Sequence, residues 1–183
     1  MKTDPATLQI IMAIVPKLRA FAISLSGNVD RADDLVQETL MRAIANIDSF
    51  EPGTNMQAWL FTILRNRFRS EYRKRKREVE DADGHYTDSL ISQPEQTSKL
   101  EYKELRVALE KLPSDQREAL ILVGASGFSY EEAAAICGCA VGTIKSRVNR
   151  ARNRLATELD VKSVDDFGPD RNTRAAMAAN DRR

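Results

Sequence analysis

The residues best suited to chemistry lie near the C-terminal end of the sequence, in a segment with many cations and no acid between Val141 and Ala156. Arginine can pair bidentately with guanine, whereas lysine and serine more often hold phosphate oxygens. The side chains are therefore candidates for contacts with duplex DNA, although a basic helix face can also be merely solvated. The candidates are Thr143, Lys145, Ser146, Arg147 and Arg150.

A second group of cations is interleaved with aromatic side chains. Residues 65–77 hold eight basic residues and one acid, and Trp59, Phe61 and Tyr72 lie in or just before this run. Cations can follow a nucleic-acid backbone while aromatic faces stack on unpaired bases. The pattern therefore favours a surface for single-stranded or melted DNA. The alternative is a set of core aromatics beside a solvated basic tail.

Groups that could catalyse a reaction or hold a metal are scarce. The acids Asp33 and Asp34 are sequence neighbours, so their side chains point in different directions on a helix and make a poor metal site. His85 is the single histidine, and it lies in a polar stretch. Cys137 and Cys139 are spaced poorly for a disulfide and are interpreted as small buried residues in a reduced cytoplasm. The sequence predicts no enzyme, no cofactor and no metal.

The C-terminal cations are positioned by a predicted helix-turn-helix. Ser129 and Glu132 form a capping box that starts one helix, and Gly138 supplies the turn. A second helix then begins near Val141. Its inward stripe has helical spacing and consists of Val141, Ile144, Val148, Ala151 and Leu155. This second helix would enter the major groove with its N-terminal end first.

The remaining apolar residues also repeat at helical spacing, so the predicted fold class is all-α. Pro16 should break or kink the first helix. A capping box of Thr54 and Gln57 should open the helix that carries the second cation group. The helices predicted before the helix-turn-helix cover residues 8–25, 30–47, 54–76, 100–112 and 115–123.

The charge distribution divides the chain into two small helical domains joined by a flexible linker. The net charge is only +1, but residues 78–101 hold seven acids and one lysine. No apolar run is predicted to approach the length of a membrane span, and no signal peptide is predicted. The predicted segments are a domain at 8–77, an acidic linker at 78–99, a domain at 100–157 that ends in the helix-turn-helix, and a polar tail at 158–183.

Four segments together resemble the extracytoplasmic-function sigma factors of bacterial RNA polymerase, which belong to the sigma-70 family. They are RADDLVQETLMRA at 31–43, AWLFTILRNRFRSEYRKRKR at 58–77, LPSDQREALIL at 112–122 and SYEEAAAICGCAVGTIKSRVNRARNRL at 129–155. The linker length and the wording of the first and last segments are similar to the general-stress-response subgroup. The match covers about residues 8–77 and 100–157.

The resemblance implies a role for each module. The second-module cations would contact the minus-35 promoter element. Minus-10 recognition and melting would involve Phe50, Asn55, Trp59, Arg65, Asn66, Arg69 and Arg73. Docking on core RNA polymerase would involve Asp33, Asp34, Gln37, Glu38 and Arg42.

The resemblance also implies partners and a location. The protein would be cytoplasmic, with no membrane insertion. It would be held inactive by a small, partly disordered anti-sigma factor, which a response regulator with a sigma-like domain displaces. From the residues alone, the alternative is a helix-turn-helix regulator that binds duplex operator DNA without polymerase. A nucleic-acid enzyme is the third possibility, and it lacks the clustered acids that it would need.

Overall fold

A computed structural model describes residues 4–80 and 98–160, and this part of the chain is helical without a strand. The predicted all-α fold is therefore confirmed. Of the predicted linker, residues 78–80 continue a helix and 98–99 begin one, while 81–97 and the tail residues 161–183 lie outside the described residues. The helices are α1 Pro5–Ser26, α2 Val29–Ala45, a 3-10 turn Ile47–Ser49, α3 Met56–Glu80, α4 Ser98–Glu110, α5 Ser114–Gly124, α6 Tyr130–Cys137 and α7 Val141–Glu158.

The first helix continues through Pro16 without a break, so the predicted start of a second helical segment there is wrong. Proline removes one N–H from the helix ladder and leaves the carbonyl of Met12, four residues earlier, without its partner. Both Pro16 and Met12 lie on the exposed side of α1, where water can satisfy that carbonyl. The helix ends at Gly27, whose φ of 68° is a left-handed conformation that glycine adopts at low cost.

By length and composition alone, α1 could cross a membrane, with a mean hydropathy of 1.6 over its most apolar window. The sequence prediction concerned uninterrupted apolar residues, whereas this window averages over charged residues such as Lys17. In the structure, one side of α1 is buried against other helices, as in the core helix of a globular fold. The buried positions include Ile11, Ile14, Leu18, Phe21, Ala22 and Leu25.

The first module consists of α1, α2 and α3 packed around a common apolar core. Phe61, one of the aromatic residues that the sequence offers for base stacking, lies fully inside this core. Its ring stacks on Phe21 of α1, with the centroids 4.9 Å apart. Stacked aromatic pairs add stability beyond their buried area, so Phe61 holds the module together instead of binding nucleic acid.

The N-terminus of α3 is capped by Asn55, so the predicted capping box at Thr54 is wrong. The Asn55 side-chain oxygen accepts a hydrogen bond from the Ala58 N–H at 3.2 Å. The Thr54 hydroxyl instead donates to the Glu51 carbonyl oxygen within the preceding turn. Asparagine is as good an N-cap as serine or threonine, and Asn55 directly precedes Met56, the first residue of α3.

The predicted helix-turn-helix is confirmed. The Ser129 hydroxyl accepts from the Glu132 N–H and the Glu132 carboxylate accepts from the Ser129 N–H, which completes the capping box of α6. Gly138 turns the chain with a φ of 61°. Along α7 the inward stripe packs against α5 and α6. Its buried members are Ile144, Val148, Ala151 and Leu155, while Val141 is half-buried.

The two modules pack against each other and share one continuous core. Helix α1 contacts α5, and α3 contacts α6. Phe128, in the turn before α6, places its ring edge against Phe61 with the centroids 4.9 Å apart. The two predicted domains are therefore in contact in this structure, and Arg65 and Arg69 of α3 lie against the second module.

Core packing predicts a contrast between two leucines of α1. Leu18 is 0% exposed and Leu8 is 37% exposed. We expect Leu18→Ala to lower the free energy of unfolding by about 2–5 kcal/mol, because it leaves a cavity in the core. We expect Leu8→Ala to change it by less than about 1 kcal/mol. Urea unfolding followed by circular dichroism measures both, and equal losses would contradict the placement of α1.

Candidate nucleic-acid interface

The outer face of α7 is cationic and open. Lys145 and Arg150 are exposed, and the hydroxyl residues Thr143 and Ser146 are half-buried beside them. The Lys145 ammonium also lies over the Tyr130 ring, 5.7 Å from its centroid, which steadies a flexible side chain. The first two turns of α7 thus present donors outward from a helix that α5 and α6 support from behind.

Arg147 differs from these neighbours because α5 holds it. Its Nε donates to Asp115 Oδ2 at 3.0 Å, and its side chain is 23% exposed. The Nη1 group lies 4.0 Å from Cys139 Sγ, a weak acceptor. Because Nε is engaged, the terminal Nη groups are the ones left for a DNA acceptor, and Asp115 sets the direction of the guanidinium.

Asn149 is exposed on the same face, one turn beyond Lys145, and the sequence prediction did not include it. Asparagine can pair bidentately with the N6 and N7 atoms of adenine. A search by charge passes over an uncharged amide. The signal that could have found it is the spacing of four residues from Lys145, which places two side chains on one helix face.

The basic half of α3 is exposed on one side from Asn66 onward, whereas Arg65 is buried. Asn66, Arg69, Tyr72 and Arg73 are exposed, and the Arg73 Nε donates to the Arg69 carbonyl oxygen at 3.3 Å. The Tyr72 ring stacks on Phe68 at a centroid distance of 6.4 Å. An exposed aromatic ring among cations matches the arrangement that binds single strands.

Arg65 is buried between the two modules instead of lying on the exposed face of α3. It is 5% exposed, and its Nε donates to Glu118 Oε1 of α5 at 2.6 Å. The Arg69 Nη2 group donates to Glu118 Oε2 at 3.2 Å. A single second-module carboxylate therefore engages two of the predicted minus-10 residues. The prediction that Arg65 is available to DNA does not hold in this compact arrangement, because burial puts it out of reach.

The loop before α3 also touches the second module. Phe50 and Trp59 pack against each other with centroids 5.4 Å apart, and both are half-buried. The Asn55 amide donates to the Glu132 carboxylate at 2.7 Å. Asn55 therefore caps α3 with its oxygen and contacts α6 with its nitrogen.

The polar face of α2 is partly used inside the first module. Arg19 of α1 donates two hydrogen bonds to Asp33, and this hydrogen bonding lowers the pKa of the Asp33 carboxyl. Glu38 accepts a hydrogen bond from Arg67 of α3. Since both carboxylates join helices of the module, the exposed members of the predicted docking set are Asp34, Gln37 and Arg42.

The cysteines show no sign of reactive chemistry. Burial raises the pKa of the Cys137 thiol to about 12, so it stays neutral at physiological pH, and Cys139 is half-buried. A neutral thiol is a poor nucleophile and a poor metal ligand. Among residues 4–80 and 98–160, no group of three or more histidine, cysteine or acidic residues is placed to hold a metal ion.

Comparison with protein families matches both modules. Residues 10–78 match the model for sigma-70 region 2, and residues 102–155 match the model for sigma-70 region 4. The two matches coincide with the helices that carry the two cation groups.

Individual relatives agree with the family matches. The chain is 74% identical over 170 residues to the ECF RNA polymerase sigma factor EcfG of Rhodopseudomonas palustris, covering 93% of this chain and 94% of that protein. It resembles the sigma factor RpoE of Bartonella quintana, solved in complex with the anti-sigma factor NepR, at 58% identity and a TM-score of 0.82, covering 87% of this chain and 100% of that one. The anti-anti-sigma factor PhyR of Bartonella quintana, solved with NepR, shares the fold at 19% identity and a TM-score of 0.54, covering 83% of this chain and 51% of that one.

We expect Arg147→Ala to weaken binding to the preferred duplex by about 1–3 kcal/mol and to relax selectivity at one base pair. Arg154→Ala, which removes an exposed cation from the same helix, should weaken all duplexes alike. Competition binding across single-base variants of the site distinguishes the two results. An equal loss on every variant would make Arg147 a phosphate contact.

Asp115→Asn tests whether the orientation of Arg147 matters for selectivity, separately from the presence of its charge. The substitution removes the carboxylate that directs Arg147 but leaves the cations of α7 in place. We expect selectivity to fall at the base pair that Arg147→Ala identifies, and Asp115→Glu to restore part of it. Full selectivity in the Asp115→Asn chain would contradict a positioning role.

Proposed function

Because this chain belongs to the extracytoplasmic-function sigma factors of the sigma-70 family, we propose that its two cationic helices divide promoter recognition between them. Helix α7 reads the minus-35 element as duplex, and α3 with its preceding loop binds the minus-10 element as it melts. The protein is an RNA polymerase specificity subunit of the EcfG-like group. The control of a stress-response regulon is part of the proposal.

The observation that carries this division is the contrast between the two surfaces. The outer face of α7 combines cations with Asn149 on a supported helix-turn-helix, which suits the edges of paired bases. The exposed end of α3 combines cations with Tyr72, which suits stacking on unpaired bases. An operator-binding regulator would have no use for the second surface, so the sigma factor is the favoured reading.

At the minus-35 element, α7 would enter the major groove with its N-terminal end first. Thr143, Lys145 and Ser146 lie in the first turns, where phosphate and base edges are both in reach. Arg147, directed by Asp115, is the candidate for guanine. Asn149 is the candidate for adenine, and Arg150 for phosphate.

At the minus-10 element, Asn66, Arg69 and Arg73 would follow the strand backbone. Phe50 and Trp59 form an aromatic pair at the base of the loop before α3. This pair would form one wall of a pocket for a base turned out of the duplex, since unstacking a base exposes a face that an aromatic ring can cover. Arg65 and Asn55 would join this surface once the second module moves away.

The outer stripe of α2 is the proposed docking surface for core polymerase. Asp34 and Gln37 lie on this stripe with Met41, which is 71% exposed. A methionine rimmed by polar groups is a common interface anchor, and the sequence prediction missed it because it included only polar residues of α2. Arg42 flanks the stripe. Asp33 and Glu38 support it through their ion pairs with Arg19 and Arg67.

An anti-sigma factor is the proposed inhibitory partner, since the RpoE relative was solved with NepR. A groove between α1, α4 and α5 is lined by apolar side chains such as Ile23, Leu109 and Ile121, with Lys17 and Glu110 among its polar residues. Its lining would accept the apolar face of a partner helix. Release would come from a response regulator that carries a domain of this fold and competes for the inhibitor.

The proposal assigns no catalytic step to this chain, and the relatives it matches are sigma factors. Its work is binding and strand separation, for which side-chain cations and aromatic rings suffice. It requires no cofactor or metal. The place of action is the cytoplasm, where the polymerase and the promoters are.

Run-off transcription with purified core polymerase and a randomised promoter library tests the function. New start sites that depend on the protein, preceded by two shared sequence boxes, are the expected result. Specific duplex binding by the protein alone, without any new start site, would instead establish an operator-binding regulator.

We expect Asp34→Ala to lower affinity for core polymerase by about 1–2 kcal/mol, or roughly five- to thirtyfold, while circular dichroism stays unchanged. Met41→Ala should have a similar effect. Asp48→Ala removes the same charge from the adjacent 3-10 turn and serves as the matched control. Fluorescence anisotropy with labelled protein measures each affinity, and an unchanged value for both α2 variants would remove this helix from the interface.

A further inference from the structure

The cationic face of α3 meets a carboxylate of the second module in the compact form. We propose that this face is a docking surface with two mutually exclusive occupants: Glu118 of α5, and the phosphates of a single DNA strand. Glu118 thereby acts as an internal stand-in for phosphate that makes strand binding conditional on separation of the modules. The inference rests on the proposed function in taking α3 as the strand-binding helix.

The contact is built as an anion site. Glu118 is 3% exposed, and both of its oxygens are engaged by arginines of the other module. Oε1 accepts from Arg65 Nε at 2.6 Å, while Oε2 accepts from Arg65 Nη2 at 3.4 Å and from Arg69 Nη2 at 3.2 Å. The residues are 53 and 49 positions apart in the chain, so the contact exists only when the modules pack together.

The same arginines suit a phosphate. A guanidinium presents N–H groups in a planar fork that matches the paired oxygens of either a carboxylate or a phosphate. Arg65 and Arg69 also lie four residues apart, on one side of α3, as two consecutive cations along a strand would need. When the modules separate, these donors lose Glu118 and a strand can replace it without any rearrangement within α3.

The two occupants exclude each other because the surrounding contacts close the site. Asn55 donates to Glu132, and the Gln57 amide donates to the Ser126 carbonyl oxygen at 3.2 Å. Phe61, one turn before Arg65 on α3, meets Phe128 edge to face. With Arg65 5% exposed, a strand has no path to it while these contacts persist.

A competition of this kind has a quantitative consequence. The apparent affinity for a strand equals the intrinsic affinity multiplied by the fraction of molecules that are open. Removal of one partner of a buried ion pair destabilises the closed form, because it leaves the other charge buried without compensation. Loss of the Glu118 charge should therefore raise the affinity for a strand. The gain would come from opening of the modules, because Glu118 is buried and does not repel DNA at an exposed surface.

The test compares Glu118→Gln with Glu131→Gln in the full chain. Both changes remove one negative charge from the second module, but Glu131 is exposed on α6, whereas Glu118 is the acid that pairs with Arg65 and Arg69. Small-angle X-ray scattering reports compactness, and anisotropy of a short fluorescein-labelled single-stranded DNA of mixed sequence reports strand affinity. We expect Glu118→Gln to increase the radius of gyration and to tighten strand binding about tenfold. Glu131→Gln should change neither by a comparable amount.

Unchanged compactness and affinity in Glu118→Gln, relative to Glu131→Gln, would overturn the proposal. Expansion without tighter strand binding would also overturn the competition. Arg69→Ala is then added to the Glu118→Gln chain. If this second change leaves strand affinity unchanged, α3 does not bind the strand and the proposed function of α3 is wrong. If Arg69→Ala does weaken it, α3 binds the strand and Glu118 is not its competitor.

A second pair of variants keeps the test decisive if Glu118→Gln does not fold. Arg69→Gln and Arg73→Gln each remove one exposed cation from α3, and of the two residues Arg69 is the one that contacts Glu118. We expect Arg69→Gln to expand the molecule in scattering and Arg73→Gln to leave it compact. Identical radii for the two variants would contradict the role of Glu118 as a docking partner.

Discussion

Phe61 lies between Phe21 and Phe128, with each pair of ring centroids 4.9 Å apart, and this aromatic series joins the two modules into one core. Phe21 belongs to α1, Phe61 to α3 and Phe128 to the turn before α6. Aromatic contacts of this kind bury much apolar surface and favour a defined geometry. The positions of the loop before α3, the basic face of α3 and the start of α6 all depend on this packing.

The ion pair between Arg65 and Glu118 sits beside the aromatic series and has a different energetic character. Burial of two charges costs solvation free energy that their attraction repays only when the geometry is good. Here the two oxygens of the carboxylate have donors, so the charges are compensated as long as the modules stay together. Apolar packing thus stabilises the contact between the modules. The ion pair adds a requirement for both Arg65 and Glu118, because either charge alone would be buried without a partner.

The two proposed nucleic-acid surfaces consequently differ in availability. The outer face of α7, with Lys145, Asn149 and Arg150, is open in the compact form and needs no rearrangement to meet duplex DNA. The face of α3 is open at Arg73 but closed at Arg65. If the proposed roles hold, duplex recognition by α7 can precede strand binding by α3 in the same molecule. The two helices carry similar charge, so charge does not set this order of binding. The order follows from burial, because the second module covers part of α3 and leaves the outer face of α7 open.

The sequence by itself determined the features that depend on neighbours along the chain. The capping box of Ser129 and Glu132, the turn at Gly138 and the inward stripe of α7 each involve residues within a few turns, and all three are present as predicted. The four family-like segments likewise identified the sigma factor, because short segments in a fixed order can be read without coordinates.

Only the tertiary structure decided which polar and aromatic side chains are available. Trp59, Phe61 and Arg65 look equally suited to DNA in the sequence, yet Phe61 and Arg65 are buried against residues more than fifty positions away. Pro16 stays inside a helix because its turn faces solvent, and Asn55 replaces Thr54 as the cap because it directly precedes the first residue of α3. Burial and partner choice depend on contacts between segments distant in the chain, and periodicity along one helix carries no information about them.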